Sequence, residues 1–189
     1  KVTKVEASPT NAITAVKIGY ELKVKDVSFF DVVTKEMRTT SSFFENGPVL
    51  FMFSCNTCPF VIKAQQRTEE VLNAAKALNI NVVILNSNEG QRDGVDSEDQ
   101  MLEYANTHGY AHYYIDKNHE FANLLGATKT PEVFLFNAEK QLVYKGAMDD
   151  NPANPDEVSK IFILEAMQAL HNNEEIKVED KETYRISEY

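Results

Sequence analysis

The sequence holds only two cysteines, Cys55 and Cys58, with two residues between them. That number excludes the many-bridged scaffold of a small secreted domain, and whatever covalent chemistry the sulfurs perform they perform as a pair. Long apolar runs are absent too: the longest, Val49 to Phe53, stops at Ser54. A membrane-spanning helix needs about 20 such residues, so the mature chain is expected to be soluble. Basic residues are scarce, 19 Lys and Arg against 29 Asp and Glu, for a formal net charge of −10. Phosphates would be repelled, which disfavours a nucleic-acid partner and an anionic membrane surface alike. The four histidines, His108, His112, His119 and His171, form no pair beside a turn to complete a zinc site with the cysteines, so neither metal nor cofactor is expected. There are no internal repeats and no low-complexity tract.

What is present reads as one domain over residues 1–189, with an irregular lead-in at 1–17 and a charged tail at 172–189. The acidic residues concentrate in Glu89 to Glu103, Asp149 to Glu157 and Glu174 to Glu182, stretches that read as solvated surface. Ile18 to Lys25 and Val27 to Val33 suggest a strand or hairpin before the main sheet, and Thr40 to Phe44 a short helix. Val49 to Phe53 is apolar without alternation, as in a strand buried on both faces. From Pro59 the apolar residues fall at helical spacing to about Asn79, with proline suited to the first turn. Val82 to Leu85 is a second buried strand. Ser97 with Gln100 has the form of a capping box for a helix to about His108. Tyr113 to Ile115 reads as extended and His119 to Leu125 as a short helix. Val133 to Phe136 and Leu142 to Tyr144 form a hairpin, and a last helix covers Pro155 to His171, with an edge strand at Ile176 to Val178. Strand, helix, strand, helix is α/β alternation.

Cys55 stands at the end of a predicted buried strand and at the threshold of a helix. A helix N-terminus favours thiolate over thiol, which makes Cys55 the expected nucleophile. Cys58, one turn on and expected to be the more buried, would resolve a mixed disulfide formed on Cys55. A static bridge across so short a loop would constrain the unfolded chain little, and the strand-to-helix setting favours redox chemistry.

The motif Cys55-Asn56-Thr57-Cys58-Pro59-Phe60-Val61 is joined by Asn86-Ser87-Asn88-Glu89, by Thr130-Pro131-Glu132-Val133-Phe134-Leu135-Phe136, and by Tyr144-Lys145-Gly146 leading to Asp149-Asp150-Asn151. In this order they resemble thioredoxin-like proteins of the redoxin group, in particular peroxiredoxin-like relatives of alkyl hydroperoxide reductase. The resemblance covers roughly Val27 to His171. It implies a thioredoxin-like fold, a central mixed β-sheet flanked by helices with an N-terminal strand or hairpin extension. It also implies a cis peptide bond at Thr130-Pro131, presenting the backbone of Thr130 to an extended substrate beside the sulfurs, with Asn56, Thr57 and Pro59 completing the contact surface. Similar reductases exported to the periplasm, some membrane-tethered, suggest an exported location, with a cytoplasmic one as the alternative.

The chain departs from that pattern in places. The tail lacks a third cysteine, and Met52, not Thr or Ser, stands three residues before Cys55. The acids that move protons in thioredoxins and in cytochrome c maturation reductases are replaced by Val49 and Val61. Glu132 is the remaining candidate proton acceptor for Cys58, against a reading in which it points to solvent or pairs with Lys129. The expected activity is reduction of a disulfide-bonded protein, with a separate thiol donor restoring the dithiol. A thiol peroxidase and a non-catalytic binding protein using Phe60, Tyr113 and Tyr114 are the alternatives. Oligomeric state is not encoded legibly.

Overall fold

The computed structural model describes residues 15–23 and 26–177. The strands are β1 (Ser28–Asp31), β2 (Met37–Thr39), β3 (Val49–Ser54), β4 (Asn81–Asn86), β5 (Tyr114–Ile115), β6 (Glu132–Phe136) and β7 (Leu142–Gly146). The helices are α1 (Pro59–Lys63), α2 (Gln65–Ala77), α3 (Glu98–His108), α4 (Glu120–Leu125) and α5 (Phe162–His171). One mixed sheet has the order β2-β1-β5-β4-β3-β6-β7. β3 lies inside it, parallel to β4 and antiparallel to β6.

All six residues of β3 are buried, because alternate side chains enter different cores. Val49, Phe51 and Phe53 join Phe29, Phe43, Phe121, Phe134 and Phe136 on one face. Leu50 and Met52 meet Val71 of α2 and Ile163 and Met167 of α5 on the other. Each such side chain contributes about 1.5–3 kcal/mol by leaving water. The first core is an aromatic cluster in which Phe51 and Phe121 have ring centroids 4.7 Å apart. A third cluster packs Met101 and Ala105 of α3 on Ile84, Tyr110 and Tyr113. Gly126 ends α4 at φ +72°, and a Cβ there would fall 2.4 Å from the Ala15 Cα, so position and conformation both require glycine.

Several expectations are corrected. The helix from Pro59 is two helices: the Ala64 amide bonds both the Phe60 and Val61 carbonyls, and this tightened turn at ψ 0° separates α1 from α2. The last helix begins at Phe162, after a 3-10 turn at Pro155–Glu157. Asp150 takes the Ser159 amide at 3.0 Å and its hydroxyl, holding the chain non-helical there. The N-terminal hairpin pairs β1 with β2, not with Ile18 to Lys25. Residues 18–23 instead run beside β7, where Glu21 bridges Gln141. Glu174 to Lys177 forms no strand. Residues 1–14 of the expected lead-in at 1–17, together with Val178 and the tail beyond it, fall outside the described residues.

Candidate functional site

The site begins where β3 ends. Both cysteines are free thiols. Cys55 leaves the buried strand with 8% of its surface exposed, and Cys58, half-buried, is the N-cap of α1, with Pro59 at its first position. The expected order of burial is therefore reversed. The helix starts at Pro59, four residues after the first cysteine, so its first turn serves the second.

Thr130-Pro131 is cis, and Thr130 meets both sulfurs. Its hydroxyl shares a hydrogen bond with the Cys55 Sγ at 3.4 Å, and its carbonyl accepts from the Cys58 Sγ at 3.4 Å. Two stretches more than 70 residues apart thus meet at the two sulfur atoms. The sulfurs are also coupled to each other. A hydrogen bond from the Cys55 thiol holds the Cys58 pKa below that of an ordinary thiol, helped by the Thr130 hydroxyl and by the amides of Val61 and Phe60 in the first turn of α1. The same interaction, with burial, pushes the Cys55 thiol up.

Behind the dithiol lies a polar network whose acid, Asp96, falls in a stretch expected to be solvated surface. Asp96 is 0% exposed. Its Oδ1 accepts from the Asn56 backbone amide at 2.8 Å and from the Asn86 side chain at 2.7 Å, and its Oδ2 accepts from the Asn88 side chain at 2.6 Å. The Asn56 side chain donates to the Val95 carbonyl and accepts from the Tyr113 hydroxyl, so the residue after Cys55 is fixed at three atoms. Asn86 and Asn88, from the block that follows β4, are the residues that hold Asp96. An Asn-x-Asn after a buried strand was the available signal, but the aspartate it serves lies eight to ten residues on. Tyr113 and Tyr114 are buried, 0% and 4% exposed, and so offer no docking surface. Thr57 and Pro59 are exposed at the mouth of the site, and Phe60 is half-buried.

Glu132 is buried rather than solvated, and its carboxylate is bonded to the loop that precedes Thr130. Its Oε2 accepts from the backbone amides of Thr128 and Lys129 at 2.9 and 3.4 Å. No sulfur is among its hydrogen-bond partners in the described residues, so it holds the loop leading to Thr130. Burial raises its pKa against the pull of those amides and Lys129. A cavity of about 350 Å³ opens beside Cys55, walled by Ser87, Asn88, His119, Lys129 and Thr130. On the far side of α1, Lys63 bonds the Ala153 carbonyl, and Arg67 of α2 pairs with buried Asp149 at 2.5 Å. The expectation of a solvated acidic loop therefore fails at Asp149. Among the described residues, no group of three His, Cys, Asp or Glu side chains is placed to hold a metal ion, and no helix is long and apolar enough to cross a membrane.

Solved structures share this architecture. A hypothetical protein of Sinorhizobium meliloti 1021 matches at 24% identity over 87% of this chain and 90% of its own, with a TM-score of 0.76. An uncharacterized conserved protein of Geobacillus kaustophilus matches at 23% over 98% and 100%, with a TM-score of 0.77. A peroxidoxin from Mycobacterium tuberculosis matches at 15% over 81% and 97%, with a TM-score of 0.60. At these identities the likeness is one of fold, and it is thioredoxin-like. A search of curated proteins finds no match. The family model described as Redoxin matches residues 21–161. That span takes in the dithiol, the network behind it and the cis-proline loop, and the chain belongs to the Redoxin family of thioredoxin-like redox proteins.

Proposed function

We propose that the protein is a thiol–disulfide oxidoreductase that reduces disulfide-bonded proteins through Cys55 and Cys58. The observation that carries this reading is the convergence of two free sulfurs on Thr130 of the cis-proline loop, each within 3.4 Å. An extended substrate segment lying along that loop brings its disulfide to the pair, with the cavity beside Cys55 open to a flanking side chain. One thiolate attacks a substrate sulfur, the substrate S–S bond breaks, and the departing sulfur leaves as a thiolate and takes up a proton. The second cysteine, deprotonated, then attacks its neighbour in the mixed disulfide. This releases the other substrate thiolate and leaves Cys55 and Cys58 joined. Two electrons have passed to the substrate, and a separate thiol donor returns them.

Substituting either cysteine by serine is expected to abolish turnover of a protein disulfide with a small thiol donor. The variant that keeps the attacking sulfur should accumulate a mixed disulfide visible on non-reducing gels. Wild-type rates in the double Cys55→Ser/Cys58→Ser variant would sink the proposal. The half-exposed position of Cys58 also admits a second reading, a thiol peroxidase in which its sulfenic acid condenses with Cys55. That reading requires the reduced protein to consume peroxide stoichiometrically and far faster than a free thiol.

A further inference from the structure

We propose that the cavity beside Cys55 selects substrates by charge: it seats an acidic side chain flanking the substrate disulfide, with Lys129 and His119 as its specificity-determining residues. The inference rests on the thiol–disulfide reading above and adds the chemistry of the segment that is reduced.

The cavity has room for a side chain and little more, since its volume of about 350 Å³ is at the lower end of the range of roughly 300–1,000 Å³ for small-ligand pockets. Cys55 is part of its wall, so a group seated there lies beside the substrate sulfur that exchanges with this thiol. Phe53, Ala122 and Ala127 give it an apolar side against which methylenes can pack. In a chain with 29 Asp and Glu against 19 Lys and Arg, no carboxylate lines it.

The donors around the cavity divide into those already used and those left over. The Ser87 hydroxyl donates to Asp116, and the Asn88 side chain donates to Asp96. The side chains of Lys129, His119 and Asn123 make no hydrogen bond or ion pair within the described residues. Lys129, half-buried, acts on Glu132 at a distance without closing a pair with it, because the Glu132 carboxylate is bonded to the Thr128 and Lys129 backbone amides. Asp116 is engaged in the same way, by the amides of Phe121 and Ala122 and the Ser87 hydroxyl. Those two amides fix the start of α4, where His119 stands at φ +54° after Asn118 at φ +57°. The His119 ring carries an N–H donor in either protonation state.

A glutamate or aspartate entering this space meets an ammonium and two neutral donors, with its carbon atoms on the apolar side. A glutamine keeps hydrogen bonds but loses their charge-assisted strength, and a lysine finds a like charge and no acid to answer it. The net charge of −10 opposes an acidic substrate from afar. At physiological ionic strength that repulsion is screened beyond about 8 Å, while a contact inside the cavity is screened much less, so the local charge decides.

The test uses short peptides blocked at both ends, each with one cysteine carried as a 2-pyridyl disulfide and with Glu, Gln or Lys next to it, on either side in turn. A protein thiolate attacks the peptide sulfur and expels pyridine-2-thione. The second cysteine then closes the Cys55–Cys58 bond and releases the peptide thiol, and thione absorbance gives the rate. Reduced wild type should favour Glu over Gln roughly fivefold, with Lys slowest. Lys129→Gln should bring the Glu-to-Gln ratio toward one, and Lys129→Glu should make the Lys peptide fastest. Asn123→Asp, which adds a carboxylate at an exposed position of α4, should also lower the ratio, and it decides the matter if the Lys129 variants do not fold. Equal rates for the three peptides, or a Glu preference unchanged in the folded variants, overturn the proposal. Thione release no faster than from the Cys55→Ser/Cys58→Ser variant, with every peptide, defeats the oxidoreductase reading itself. Rates that are equal among peptides yet far above that variant defeat only the selection by charge.

Discussion

Asp96 and Asp149 are both withdrawn from water, 0% and 1% exposed, and the protein treats their charges in different ways. Asp149 meets a guanidinium: Arg67 Nε donates to its Oδ2, and its Oδ1 caps the turn at Asn151. The charge is neutralised where it stands, and the pair ties the loop after β7 to α2. Asp96 meets three neutral amides, which satisfy its oxygens without cancelling its charge. The first arrangement is a structural clamp. The second fixes the backbone of the residue that follows Cys55, so the same kind of buried acid braces a loop of the site without a cation to answer it.

The comparison breaks most visibly at the clamp. Arg67→Met or Asp149→Ala strands one buried charge and should cost roughly 3–5 kcal/mol in urea unfolding. The Arg67 Nη2, buried without a hydrogen-bond partner among the described residues, marks how fully the guanidinium is desolvated. The double substitution to apolar residues should cost less than either single one, because both charges go together. Single variants near neutral in stability would mean that the pair is open to water. At Asp96 the expected loss is smaller. Asp96→Ala leaves the Asn56 amide and the Asn86 side chain without their acceptor, a cost of roughly 1–3 kcal/mol, while Asp96→Asn costs less because one acceptor survives. If Asp96→Asn proves as damaging as Asp96→Ala, the charge rather than the hydrogen bonding holds the loop.

These two aspartates also show what could be read in advance. The unbroken apolar run of β3 announced a strand covered on both faces, and Ser97 with Gln100 announced the start of α3, where the Ser97 Oγ accepts from the Gln100 amide. Both are local patterns. Asp96 and Asp149 were hidden in acidic stretches because their partners are remote: Asn56 lies 40 residues away from the one and Arg67 lies 82 from the other. The break at Ala64 was invisible since a single tightened turn leaves the apolar spacing intact. β2 was missed for want of pattern, its three residues being exposed or half-exposed. The dithiol and the cis-proline loop were legible as motifs. The order of burial within the dithiol was not, because it depends on where the helix begins, and that is set four residues beyond Cys55 by Pro59.

Glu132 sharpens the comparison, since it too is a buried carboxylate held by neutral amides, at the cis-proline loop. Its pKa lies above the ordinary glutamate value because burial outweighs those amides and Lys129. The folded chain therefore holds this proton at pH values where the unfolded chain has lost it. Stability from this group is complete below the ordinary carboxylate range and is lost as pH rises through the folded value. In Glu132→Gln nothing titrates at that position, so the wild type should lose stability relative to the variant as pH climbs from acid toward neutral, the smallest of the three effects. Asp116, whose pKa burial also raises, is present in both proteins and drops out of the difference. Urea midpoints measured on both proteins across that range check this, and parallel curves would show that the amides of Thr128 and Lys129 fully offset the burial of Glu132. Asp96 would then differ from Glu132 in its neighbours alone, with a cysteine next to the amide it grips.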